Sequence, residues 1–296
     1  MYIEQLKNIK VNNVLYTIGI LGILSFFGLN ILATFLGDVD TNEMLKQSIE
    51  VFGKNITFLN LIVPFAFLLL GLLLWIKFVL KQPLVSLTTS RSKIDWKRFW
   101  FMFLLWGGFL AIVTVISYLL YPEDFIFQFD LSKFLPFLLI ALIFIPLQTS
   151  FEEYFFRGNF FQFIGYKTNS RLIPLVVTSV IFGLMHLSNP EVGAMGLILM
   201  IFYIGTGFLL GIFVLMDDGL ELSLGFHAAN NLIGALLVTS TTSVFQTDSI
   251  LVDISSQTNI TPLLAQVFIV YPLLLLICAK KYNWSNWKAN LFGKLK

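Results

Sequence analysis

Residues 134–164 read FLPFLLIALIFIPLQTSFEEYFFRGNFFQFI, and the fold turns on how far one helix runs through them. The stretch is apolar enough for lipid, yet it carries Glu152, Glu153 and Arg157. A charged side chain at the bilayer centre costs about 2.5–3.5 kcal/mol on insertion scales, so its default reading is functional. A helix ending at Arg157 would leave Glu152 near the membrane surface. The residues that follow, Asn159-Phe160-Phe161-Gln162-Phe163-Ile164, stay largely apolar until Gly165 and Lys167. If the helix continues to Gly165, Glu152 lies about 20 Å from that end, at 1.5 Å per residue. The sequence therefore predicts one long helix with an acid pair at membrane depth.

The rest of the chain fits that setting. Of 296 residues, 57% are hydrophobic and 12% charged. Soluble domains carry about 25% charged residues. Since about 20 apolar residues cross the hydrocarbon, eight stretches qualify as helical spans, near 14–36, 56–79, 99–120, 134–164, 172–187, 195–216, 219–238 and 262–280. The predicted fold is all-α, a polytopic integral membrane protein of about eight transmembrane helices. Its polar core lies in spans four to seven, because every buried ionisable group falls between 152 and 227. The chain divides into N-terminal transmembrane helices (1–133), a core (134–240), and an external loop with a C-terminal helix (241–296). A net charge of +2 and the absence of a basic stripe exclude a nucleic-acid partner. Membrane lipids are the expected surroundings. The lone Cys278 can form no intrachain disulfide.

Cationic residues cluster toward alternate ends of the spans. One side takes 16 of the 19 lysines and arginines; the other holds Lys46, Lys54 and Lys133. Discounting Arg157 as embedded does not change the bias. By the positive-inside rule both termini are expected in the cytoplasm, with the protein in the plasma membrane of a bacterial-type cell. Trp75, Trp96, Trp100, Trp284 and Trp287 lie near the same face, as an interfacial belt does. The first stretch, with no small-residue cleavage signal after it, reads as a retained span. Residues 37–55 read as an acidic loop, 80–98 as a basic connector and 239–261 as an external Ser/Thr-rich loop. Asp217-Asp218 reads as a solvated turn, and Glu221 as interfacial. Gly207 and Gly211 form a small-residue face suited to close helix packing.

Three constellations carry the chemistry. In Glu152-Glu153-Tyr154-Phe155-Phe156-Arg157, Glu153 and Arg157 are i,i+4 neighbours with the acid first, the favourable order. Glu152 points about 100° away and is left without this partner. A desolvated carboxylate of that kind serves as a general base or acid. The plainer alternative is a snorkelling cluster at a helix end. His186 closes Phe182-Gly183-Leu184-Met185-His186, late in the fifth span, where a structural histidine on a carbonyl is the alternative. His227 and Asn231 share a face at i,i+4 with two alanines between them. They can hold a developing oxyanion or glue helices together. With the long fourth helix, Glu152, His186 and His227 come to similar depth, about 20, 21 and 14 Å from the cytoplasmic ends.

Glu152-Glu153-x-x-x-Arg157, Phe182-x-x-x-His186 and His227-x-x-x-Asn231, in this order, resemble the CPBP family. This is the CAAX protease and bacteriocin-processing group, also called Abi or type II CAAX prenyl endopeptidase-like proteins. The resemblance covers roughly residues 134–240. It implies an all-helical, glutamate-dependent intramembrane endopeptidase acting on a membrane-associated protein or peptide. By position, Glu152 and His186 would activate the water, His227 and Asn231 would stabilise the oxyanion, and Glu153 and Arg157 would support the site. No metal is required by this reading. Glu152, His186 and His227 would be the set for a divalent metal such as zinc, with one position left open; no HExxH helix is present. The expected bond lies near the cytoplasmic leaflet. A non-proteolytic scaffold or bacteriocin self-immunity protein, and a proton-coupled transporter, are the competing functions.

Overall fold

Four long helices begin where the sequence places an Asn or Asp just ahead of an apolar run. In the computed structural model, Asn12 caps α1 (Asn13–Leu36), accepting from the Val14 and Leu15 amides. Asp40 caps α2 (Thr41–Val79), Asp95 caps α3 (Trp96–Leu120) and Asp130 caps α4 (Leu131–Thr168) in the same manner. Each such cap is typically worth about 1 kcal/mol. The remaining helices are α5 (Leu172–Leu184), α6 (Leu197–Asp217), α7 (Glu221–Leu237) and α8 (Thr261–Tyr282). The structure describes residues 1–37, 39–255 and 259–295. Asp38 of the acidic loop, residues 256–258 of the external loop and Lys296 of the basic C-terminal end lie outside them.

The protein is an all-α integral membrane protein, and its eight principal helices fall on the eight predicted stretches. Among the described residues, six are long and apolar enough to cross a membrane: α1 to α4, α6 and α8. The other two are shorter, α5 with 13 residues and α7 with 17. At 1.5 Å per residue they reach about 20 and 26 Å, short of the roughly 30 Å hydrocarbon core. Residues Glu221 to Ala229 of α7 are all buried, so this helix answers to its neighbours, not to lipid. On α1, α2 and α3, large apolar side chains such as Leu29, Phe67 and Leu104 stay exposed, as lipid-facing helices require.

α4 runs unbroken past Arg157, as the depth argument demands. It accommodates Pro136 and Pro146, which membrane helices tolerate when neighbours re-satisfy the freed carbonyls. Its middle, Tyr154–Phe160, is wound as a π-helix, a form found mostly as short bulges at functional sites. Asn169, in the left-handed conformation (φ 52°), ends it.

Two glycine contacts set the helix spacing around the site. A Cβ on Gly207 would lie 2.8 Å from the Ser179 carbonyl oxygen, so only glycine lets α6 approach α5 this closely. Gly225 likewise lies against the Phe99 backbone, which brings α7 onto α3.

The loops depart more from expectation. Most of 41–52 is helical, because Asp40 caps it; the chain breaks direction at Gly53, whose φ of 77° suits glycine. A small sheet joins β1 (Phe125–Phe127), β2 (Val238–Ser240) and β3 (Leu251–Asp253) in the order β1-β3-β2. Ile126 opposes Val252 in the antiparallel pair and Thr239 opposes it in the parallel pair. At the opposite end of the bundle, Asp217-Asp218 is no solvated turn. Asp217 is 4% exposed and bound by Arg91, Arg98 and Trp284, while Glu221 takes Arg91 at 3.2 Å. Segment 80–98 folds back over the turn and supplies those arginines.

Candidate active site

The acid pair sits on the last regular turn of α4 before its π-wound segment and meets His227 of α7. Glu153 is fully buried and accepts at one oxygen from both Arg157 (3.1 Å) and His227 Nδ1 (2.9 Å). Arg157, also fully buried, lies over the Phe182 ring at 4.1 Å and donates to the Gly207 carbonyl at 3.4 Å. That last bond depends on the glycine-lined approach of α6. The other face of the His227 imidazole, Nε2, lies 3.5 Å from Glu152 Oε2. One imidazole thus stands between two carboxylates. Arg157 balances the charge of Glu153, which matters because an uncompensated buried charge is costly.

Glu152 has one oxygen tied and one open. Gln148, one turn earlier, donates to its Oε1. Its Oε2 has no hydrogen-bond partner among the described residues. Gln148 in turn accepts from Asn231 Nδ2 at 3.1 Å. Asn230 donates to Asn231 and accepts from Trp106 Nε1, at 3.2 and 3.1 Å. The chain Trp106, Asn230, Asn231, Gln148, Glu152 therefore fixes both the acid and the amide that face the cleft.

His186 lines the same cavity as Glu152. It has no direct bond to Glu152. Its Nδ1 lies 2.8 Å from the Phe182 carbonyl, and a carbonyl can only accept, so Nδ1 carries the hydrogen and Nε2 is left as the acceptor. The ring stacks on Tyr203 at 4.2 Å. His227, not His186, is the histidine beside Glu152. Glu152, His186 and His227, the set considered for a metal, all line this cavity. Both His227 nitrogens face carboxylates, and among the described residues no three His, Cys, Asp or Glu side chains converge as ligands.

Glu152, Gln148, His186, Tyr203, His227, Asn230 and Asn231 line one cavity of about 400 Å³, with Glu153 and Arg157 behind its wall. Its apolar wall includes Phe27, Phe65, Phe151, Phe156 and Phe202; its polar wall includes Gln148, Glu152, His186, His227, Asn230 and Asn231. The sequence reading missed a second carboxylate there. Glu191 accepts from Tyr203 Oη (2.6 Å), Asn189 Nδ2 (3.2 Å) and the Val244 amide (3.1 Å). Burial pushes the Glu191 carboxyl up from its ordinary range, against those three hydrogen bonds. Glu191 lies in a short helix between spans, so apolar runs gave it no prominence. Gln148 was missed because an uncharged amide in a span raises no alarm.

Residues 131–233 match the family described as type II CAAX prenyl endopeptidase Rce1-like. The chain is 31% identical over 209 residues to the uncharacterised protein YyaK of Bacillus subtilis (strain 168), covering 70% of this chain and 68% of that protein. No solved structure matches. The match to the family takes in the acid pair, His186, His227 and Asn231, the same segments whose side chains meet in the cavity. This chain belongs to the family described as type II CAAX prenyl endopeptidase Rce1-like.

Proposed function

We propose that the protein is an intramembrane endopeptidase that hydrolyses a peptide bond with a water activated by Glu152. One observation carries the reading: in a chain built for lipid, a carboxylate with one unpartnered oxygen, a carboxylate-paired imidazole and a held amide line one cavity.

Glu152 Oε2 takes a proton from the water as its oxygen bonds to the carbonyl carbon. His186 Nε2 is a second acceptor for that water. Asn231 keeps one amide hydrogen on Gln148 and has another for the oxyanion. His227, its Nδ1 hydrogen on Glu153, carries the proton from Glu152 to the leaving amine as the C–N bond breaks. His227 is therefore assigned to proton transfer instead of to the oxyanion. Glu153 orients it, and Arg157 offsets the charge of Glu153. The phenylalanine wall suits an apolar stretch of a membrane-associated peptide or protein. Recognition of a prenyl group is no part of this proposal.

Transport fits less well, because none of the basic-end connecting segments contributes a residue to the cavity wall. The test is peptidomics of membranes carrying either the wild-type protein or Glu152→Gln at equal abundance. A set of new peptide termini should disappear with the variant. Identical terminal profiles would leave the scaffold or immunity reading in its place.

A further inference from the structure

The polar segments of the molecule gather at two ends, and the cavity belongs to only one. The first end joins the N-terminal segment, 82–98, the α4–α5 and α6–α7 turns and the C-terminal segment. There Tyr2 bonds Asp218, Leu220 bonds the Thr88 carbonyl, and Arg171 bonds the Gly293 carbonyl. The second end holds the sheet, where Lys54 reaches Gln128 and Asp248, together with the connections after α5 and α7. Six cavity residues, Met185, His186, Asn189, Glu191, Val244 and Phe245, lie in those last two connections. The cavity thus leads from Glu152 and His227 toward the second end.

The two ends differ sharply in charge. The second end and its flanks hold Lys46, Lys54 and Lys133, while nearly all other lysines and arginines sit at the first. Retained positive charge marks the cytoplasmic side. From the cavity's connections and this asymmetry together, we infer that the active-site cavity is reached from the non-cytoplasmic face. Its substrate is then a peptide segment presented on that face. This rests on the peptidase reading for what is cleaved, but not for how the cavity is reached. It reverses the expectation of a bond near the cytoplasmic leaflet.

Three variants, each with one added cysteine, test the access route: Thr241→Cys and Val244→Cys beside or in the cavity wall, and Lys93→Cys at the first end. The wild type, whose lone Cys278 is buried, is the blank. In intact bacterial cells a membrane-impermeant maleimide should label the first two, and label Lys93→Cys only after permeabilisation. The opposite pattern would overturn the inference. The Glu152-dependent termini found by peptidomics should map to extracytoplasmic segments. Termini confined to cytoplasmic tails would sink the inference while leaving the peptidase reading intact. External labelling without any Glu152-dependent terminus would do the reverse, upholding the access route and removing the peptidase.

Discussion

Glu152 and Glu153 are adjacent in sequence and unlike in what holds them. Glu153 is tied to Arg157 and His227 in full burial. Removing one partner of such a buried pair typically costs about 3–5 kcal/mol. Glu153→Gln should therefore lower the melting temperature in detergent clearly, whereas Glu152→Gln should leave it nearly unchanged. Activity should separate them the other way: Glu152→Gln should lose roughly 10²- to 10⁴-fold, the usual contribution of a general base. Tyr203→Phe keeps the ring that stacks on His186 and gives up the hydroxyl's bonds to Glu191 and Asn189. It should retain more activity than Tyr203→Ala at equal abundance. The sequence showed which acid carried the arginine, because i,i+4 spacing on a helix is local. It did not show which histidine faced Glu152. That depends on how α5 and α7 cross α4, and no spacing within one helix records a crossing.

Helices are where the sequence was most legible, since apolar runs and capping residues act locally. The long α4 followed from depth alone. Less legible were the elements whose form comes from their neighbours. α7 is short and polar for a span because α3 and α4 cover it, and residues 41–52 form a helix where polar composition reads as loop. The Gly207 face gained a purpose beyond packing: it holds α6 near enough for Arg157 to reach a carbonyl. Gly207→Val would push Ser179 away. Overpacking of this kind costs about 1–3 kcal/mol. The expected result is a lower melting temperature together with weaker cleavage, although the side chain touches no substrate.

At the scale of the whole molecule, charge is distributed in a way that reaches the chemistry. Besides Glu191, the cavity's end carries Asp40, Glu43, Glu50, Glu123, Asp124, Asp130, Asp248 and Asp253, against three lysines. Such a field gathers cations and is screened by salt, with a Debye length of about 10 Å at 0.1 M. Cleavage of a basic peptide should be faster than that of an acidic one of equal length, and the gap should close as salt rises. The asymmetry was readable from lysine and arginine positions. Its relation to the cavity was not, because the residues that join the two lie in connections that no periodicity marks.

The three-stranded sheet gives the molecule a mechanical constraint. β1 lies just ahead of α4, β2 directly follows α7, and β3 holds both. The two helices that carry the acid and the amide are therefore fastened together at one end, like the legs of tongs at their rivet. Any separation that admits a bulky peptide must be taken up at the free sides of the cleft or by the helices bending. The fixed end preserves the spacing of the reacting groups while the rest of the wall gives way.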